Sequence, residues 1–86
     1  MTPFAIEWTD EALENLTEAW LQAAHPEEVT DAEMRMNAML RDDPVRHGEL
    51  LSEDLWIVRV HPLKIYFEIW ETERVVQVTD ALLIDK

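Results

Sequence analysis

The sequence contains no cysteine, a single glycine, and only seven Lys and Arg against nineteen Asp and Glu. Each scarcity closes something off. Without cysteine there are no disulfides and no thiolate metal ligands. One Gly and four Pro in 86 residues argue against a disordered or low-complexity chain. No apolar run approaches the roughly 20 residues that span a bilayer, so no membrane association is expected. The opening residues, MTPFAIEWTDE, have neither a basic start nor an apolar centre. No signal peptide is expected there, and the cytoplasm is the default location. The shortage of cations leaves a net charge of −12. Such a surface repels nucleic acid, itself a dense line of negative phosphates, and attracts basic partners. Direct nucleic-acid binding is therefore not expected.

What is present is bulk. The chain holds four Trp, two Phe, one Tyr and four Met. A chain of this length buries only about 60–65% of its unfolded surface, so dense packing of those side chains must supply its stability. No repeat or linker is visible, and a single domain over residues 1–86 is expected.

The clearest pattern is residues 55–79, LWIVRVHPLKIYFEIWETERVVQVT. Three runs rich in β-branched and aromatic residues are separated by His61-Pro62 and Glu71-Thr72-Glu73, which predicts an antiparallel three-stranded meander. In its middle run Ile65, Phe67 and Ile69 share one face, and Lys64, Tyr66, Glu68 and Trp70 the other. On the flanking runs Trp56, Val58 and Val60 oppose Leu55, Ile57 and Arg59, while Val76 and Val78 oppose Val75, Gln77 and Thr79. One face is apolar and suited to carry helices; the second sets charges among aromatics. The apolar tail over residues 81–84 either continues along the sheet or docks elsewhere.

Upstream, residues 3–8 alternate, with Phe4, Ile6 and Trp8 on one face, and predict a short strand. Thr9 or Asp10 caps a first helix, whose apolar stripe reads Leu13, Leu16, Ala19, Trp20, Ala23 and Ala24. Glu11, Glu14 and Glu18 form a solvated face, and His25-Pro26 ends the helix. Thr30 and Glu33 read as a capping box for a second helix, with Val29 and Met34 as its staple. Its inward stripe is Ala32, Met36, Met39 and Leu40, and it stops before Pro44. Residues 44–54, which hold Gly48, read as a connecting loop with a short turn. The expected architecture is α+β, in the order β-α-α-β-β-β: a small antiparallel sheet with two helices packed on one face.

Three segments carry a family resemblance: IEWTDEALENL at residues 6–16, LRDDPVRHGELL at 40–51, and WIVRVHPLKIYFEIWETERVVQV at 56–78. In order, spacing and total length the chain resembles the RelE/ParE superfamily of type II toxin–antitoxin toxins, the plasmid stabilisation family. The resemblance implies a small sheet with two helices on one face and a cognate antitoxin as partner. It also implies one of two activities, ribosome-dependent mRNA cleavage or poisoning of gyrase. Cleavage by a 2′-hydroxyl needs a base, cations for the developing phosphate charge, and an acid for the leaving oxygen. The positions that match the family's catalytic cluster are Arg59 and Lys64 for phosphate, with Tyr66 and Glu68, or His61 at the turn, for protons. No cofactor is implied. His25, His47 and His61 lack metal-ligand spacing, so no metal is expected.

Two features depart from the family's endonuclease branch. Its members are usually basic, whereas this chain stands at −12. Many also end the last strand with Arg or His and a nearby Tyr, whereas residues 79–83 read TDALL. Arg59, Lys64 and Glu68 read more readily as cross-strand ion pairs than as a site, and Arg74 as a partner of Glu71 and Glu73. The resulting expectation is a toxin-like protein that acts by binding an antitoxin, or another basic protein, and a cellular target. The alternative is a detoxified interaction module of the same fold, with a homodimer as one form.

Overall fold

The structure, a computed structural model, describes residues 3–84. Its elements run β1 (Ala5–Trp8), α1 (Asp10–Gln22), α2 (Pro26–Asp42), α3 (Pro44–His47), β2 (Glu49–Ser52), β3 (Leu55–Val60), β4 (Leu63–Trp70) and β5 (Val75–Leu83). The α+β architecture and the strand-helix-helix-meander order are those the sequence predicts, with α3 and β2 added. The strands form one five-stranded sheet in the order β1-β5-β4-β3-β2. It is mixed rather than antiparallel throughout, because β1 runs parallel to β5, with Ile6 beside Val76 and Trp8 beside Val78.

The meander forms with the predicted faces. Val60 pairs with Leu63 across the His61-Pro62 turn, whose peptide bond is cis. Trp70 pairs with Val75 across the second turn, where the Arg74 amide donates to the Glu71 carbonyl at 3.1 Å. Arg74 adopts a φ of 58° there, and its guanidinium lies 4.1 Å from the centroid of the Phe4 ring. This cation–π contact joins the turn to the chain just ahead of β1.

The inner face of β4 supplies the core: Leu63, Ile65 and Phe67 are fully buried. They pack in one cluster with Val58, Val76, Val78 and the helix residues Ala12, Ala19, Val29, Ala32, Met36 and Leu40. Burying each large apolar side chain of this kind contributes about 1.5–3 kcal/mol relative to exposure.

The helices depart from expectation at their ends. Thr9 caps α1, its hydroxyl accepting from the Ala12 amide at 3.1 Å. The buried stripe of α1 is narrower than predicted. Ala12 and Ala19 are its fully buried members, while Leu13 and Trp20 are nearly half exposed because α1 rests on the sheet through its small residues. Pro26 opens α2 as well as closing the link from α1, since the first helical position needs no donor. Thr30 and Glu33 therefore lie inside α2 rather than at its start. Val29 is buried and Met34 exposed. Five residues apart on a continuous helix, they point to different sides and make no staple.

In the stretch expected as a loop, α3 is a single turn capped by the Asp43 carboxylate, which accepts from the Arg46 amide at 3.2 Å. Strand β2 then adds an edge to β3, with an irregularity between Leu50 and Ser52. Gly48 joins the two. Its φ of −92° suits any residue, so the constraint is space. A Cβ there would lie 2.6 Å from Phe67 Cζ and 2.7 Å from the Pro44 carbonyl oxygen.

The last departure is in β5. Phe67 pairs with Val78, but Tyr66 pairs with Asp80, so Thr79 is an extra residue, a β-bulge. The bulge inverts the alternation. Val76 and Val78 face the helices before it, and Ala81 and Leu83 do so after it, which carries the tail onward along the sheet. Thr79, expected beside Val75 and Gln77, occupies the bulge instead.

Replacing Gly48 with Ala is expected to lower stability by about 1–3 kcal/mol, because neither the locked Phe67 ring nor the Pro44 backbone can retreat cheaply. Urea unfolding followed by tryptophan fluorescence checks this through a lower midpoint at unchanged slope.

Candidate functional site

Strand register places the outward residues of the sheet in rows. One row is Arg59, Lys64 and Leu82; the next is Glu49, Ile57, Tyr66 and Asp80; a third is Glu68 and Gln77. All four residues proposed from sequence, Arg59, Lys64, Tyr66 and Glu68, therefore face away from the helices. Arg59 and Lys64 stand directly opposite each other, and Tyr66 is one step along. Glu68 is four residues from Lys64 on one strand, roughly 13 Å at the rise of an extended chain. His61 belongs elsewhere: it lines cavities with residues of α2 such as Glu28 and Asp31.

Each cation of this face already has company. Arg59 Nη1 lies 3.2 Å from Glu49 Oε1, in a pair whose side chains are 54% and 70% exposed. The Lys64 ammonium lies 5.2 Å from the centroid of the Tyr66 ring. Glu68 accepts from the Trp70 indole N–H at 3.3 Å, so the cross-strand ion pair to Arg59 or Lys64 is not the one that forms. Like charges set directly opposite on neighbouring strands repel, and the Glu49 and Tyr66 contacts offset that repulsion.

Sequence reasoning missed three acidic members of this face. Glu49 stands on β2, a strand whose four residues are all exposed and so show no hydrophobic period. Asp80 is turned outward by the bulge. Its Oδ1 accepts from Asn15 Nδ2 at 2.6 Å and from the Ala81 amide at 2.7 Å. The interruption of an apolar run by Thr79-Asp80 was the available signal. Glu11, read as part of a solvated stripe, instead borders an open depression of about 360 Å³, lined also by Leu55, Tyr66, Thr79, Asp80 and Leu82. Glu11, Glu49, Glu68 and Asp80 thus outnumber the two cations on this side of the sheet. Such a face disfavours polyanions and suits a partner that brings positive charge.

A second surface lies on the other side of the molecule. The apolar arc of α1 is wider than the area the sheet covers. Leu13, Trp20 and Leu21 are 46%, 45% and 67% exposed, and Met34 of α2 is 64% exposed. Between the helices runs a groove of about 290 Å³, lined by Leu16, Thr17, Trp20, Val29, Thr30 and Glu33. Among the described residues no group of three His, Cys, Asp or Glu is placed to hold a metal ion, and no helix is long and apolar enough to cross a membrane.

No protein-family model matches the sequence, and no curated protein sequence matches it. Solved structures do match. A chain of the toxin–antitoxin complex RelBE2 from Mycobacterium tuberculosis superposes with a TM-score of 0.81 at 16% identity, covering 96% of this chain and 93% of that one. A chain of the chromosomal ParDE toxin–antitoxin system of P. aeruginosa gives 0.69 at 13% identity, covering 95% and 97%. The isolated RelE toxin of E. coli gives 0.67 at 10% identity, covering 96% and 86%. At these identities the likeness is one of fold, and it spans nearly the whole chain: the protein has the fold of the RelE and ParE toxins.

Proposed function

We propose that this protein is the toxin-like component of a type II toxin–antitoxin pair and that it works by binding rather than by cleaving RNA. The observation that carries this reading is the apolar groove between α1 and α2, with Leu13, Trp20, Leu21 and Met34 left exposed on so small a chain. Exposed apolar surface of that kind marks an interaction site. The groove is a natural seat for an amphipathic helix that buries its apolar face there. Glu14, Glu18 and Glu33 on the same two helices favour a helix whose flanks are basic. The fold supports an antitoxin as that partner, since several of its structural counterparts come from toxin–antitoxin complexes. Cytoplasmic residence is part of the proposal.

Cleavage of RNA is not favoured. Arg59, Lys64, Tyr66 and Glu68 are the candidate residues for it, but acids outnumber the cations on this face and Glu68 is engaged with the Trp70 indole. A target bound through a surface, in the manner of the gyrase poisons of the family, asks less of this face. The second reading is a detoxified interaction module of the same fold. It is favoured by the engagement of Arg59 with Glu49 and of Lys64 with Tyr66.

Controlled expression in bacteria, with and without a small adjoining gene, separates the readings. Growth arrest relieved by that gene is expected, with the two products co-purifying. Unaffected growth together with no partner favours the detoxified module. Trp20→Glu is expected to weaken partner capture at least tenfold. Because Trp20 is nearly half exposed, the same change should cost no more than about 1 kcal/mol of stability, as checked by pull-down and urea unfolding side by side. Arg59→Ala and Lys64→Ala are expected to leave the arrest intact; arrest abolished by either, in soluble folded protein, would restore the catalytic reading.

A further inference from the structure

We infer that the depression bordered by Glu11, Tyr66 and Asp80 receives a single Lys or Arg side chain carried on a basic segment of a partner protein. The inference rests on the binding role proposed above only for the partner's biological identity. The receptor itself is argued from its lining.

Leu55 and Leu82 give it aliphatic walls, Tyr66 an aromatic one, and Glu11 and Asp80 two carboxylates. That combination matches a long amphipathic cation, whose methylene stem covers apolar surface while its head seeks negative charge. Asp80 is set before any ligand arrives. Its Oδ1 is held by Asn15 of α1 and by the Ala81 amide, while Oδ2 accepts from no described residue. Orientation fixed in advance lowers the ordering cost of binding. Glu11 likewise forms no salt bridge among the described residues, whose ion pairs are His25–Glu27, His47–Asp42 and Arg59–Glu49. The chain also shows that the Tyr66 ring attracts cations, since Lys64 already lies over it at 5.2 Å.

Other occupants fit less well. A second copy of this chain brings a further −12. A nucleic-acid strand brings phosphates toward Glu11, Glu49, Glu68 and Asp80. A bare metal ion would find two carboxylates, fewer than the three His, Cys, Asp or Glu side chains expected of a metal site.

The test is a titration of the ¹⁵N-labelled full chain with a capped Arg-Ala alternating octapeptide at 0.15 M salt, with a Glu-Ala octapeptide and an eight-nucleotide single-stranded RNA in parallel. Amide shifts confined to the segments around residues 11, 55, 66 and 80, seen with the Arg peptide alone, are expected. Glu11→Gln should weaken binding about three- to tenfold, the range of a partly exposed charge pair. Tyr66→Leu should weaken it about threefold. Glu27→Gln, which removes the same charge from the exposed start of α2, should change it less than about twofold. Equal losses in Glu11→Gln and Glu27→Gln would show diffuse attraction and overturn the inference. So would shifts centred on the α1–α2 groove, or RNA binding at the same residues. Growth arrest and partner capture are read separately. Peptide binding at this corner without either leaves the receptor standing and removes the toxin reading; arrest and capture without peptide binding do the reverse.

Discussion

Strand β4 has to live in two environments at once, and the rest of the structure is arranged around that demand. It is the middle strand of five, and its inward residues Leu63, Ile65 and Phe67 are sealed under the helices. Phe67 is held most firmly. The Trp56 ring stacks near it, with centroids 6.4 Å apart, and Gly48 approaches its edge more closely than any side chain would allow. A row fixed by packing on one side leaves the alternate row on the other side without a structural duty. Lys64, Tyr66 and Glu68 occupy that second row, which is why this face can change its chemistry while the fold stays the same.

On this face acidic side chains outnumber the cations. An exposed pair such as Arg59 with Glu49 contributes little to stability, of order 1 kcal/mol or less. Its effect on recognition is larger. Each carboxylate that engages or surrounds a cation removes attraction that a phosphate would otherwise feel, and in a chain of −12 there is no long-range field to compensate. Under the proposals made above, the face and the α1–α2 groove take partners of similar character, basic and amphipathic, from opposite sides of the molecule.

Much of this was legible in the sequence because it depends on local alternation. The two faces of β4, the inward set Phe4, Ile6 and Trp8, and the Thr9 cap are all written in neighbouring residues. What was hidden depends on contacts between distant segments or on the absence of a pattern. Glu49-Leu50-Leu51-Ser52 becomes a strand only because β3 offers an edge, and an exposed edge strand carries no hydrophobic period. The bulge at Thr79 is a register decision made against Tyr66. Pro26 reads locally as a breaker, and its role as a first helical residue depends on Val29 finding the core one turn later. Even Ile57, on the outward side of β3, is 2% exposed since its neighbours Glu49 and Tyr66 flank it in the sheet. The candidate cations were visible for the same local reason as β4. The acids that share the face with them were not, because Glu49 and Asp80 owe their positions to β2 and to the bulge.

The parallel pairing of β1 with β5 has a consequence in time. Within this sheet the first strand in the chain takes as its neighbour the last, and β5 stands between β1 and the rest of the meander. Until residues 75–83 emerge, β1 has no strand to pair with and the open edge of β4 is unguarded. Contacts between such distant segments slow folding and prolong the exposure of unpaired edges. The sheet is completed only when β5 is synthesised, so a chain cut short anywhere before β5 lacks both the full sheet and the Asp80 corner.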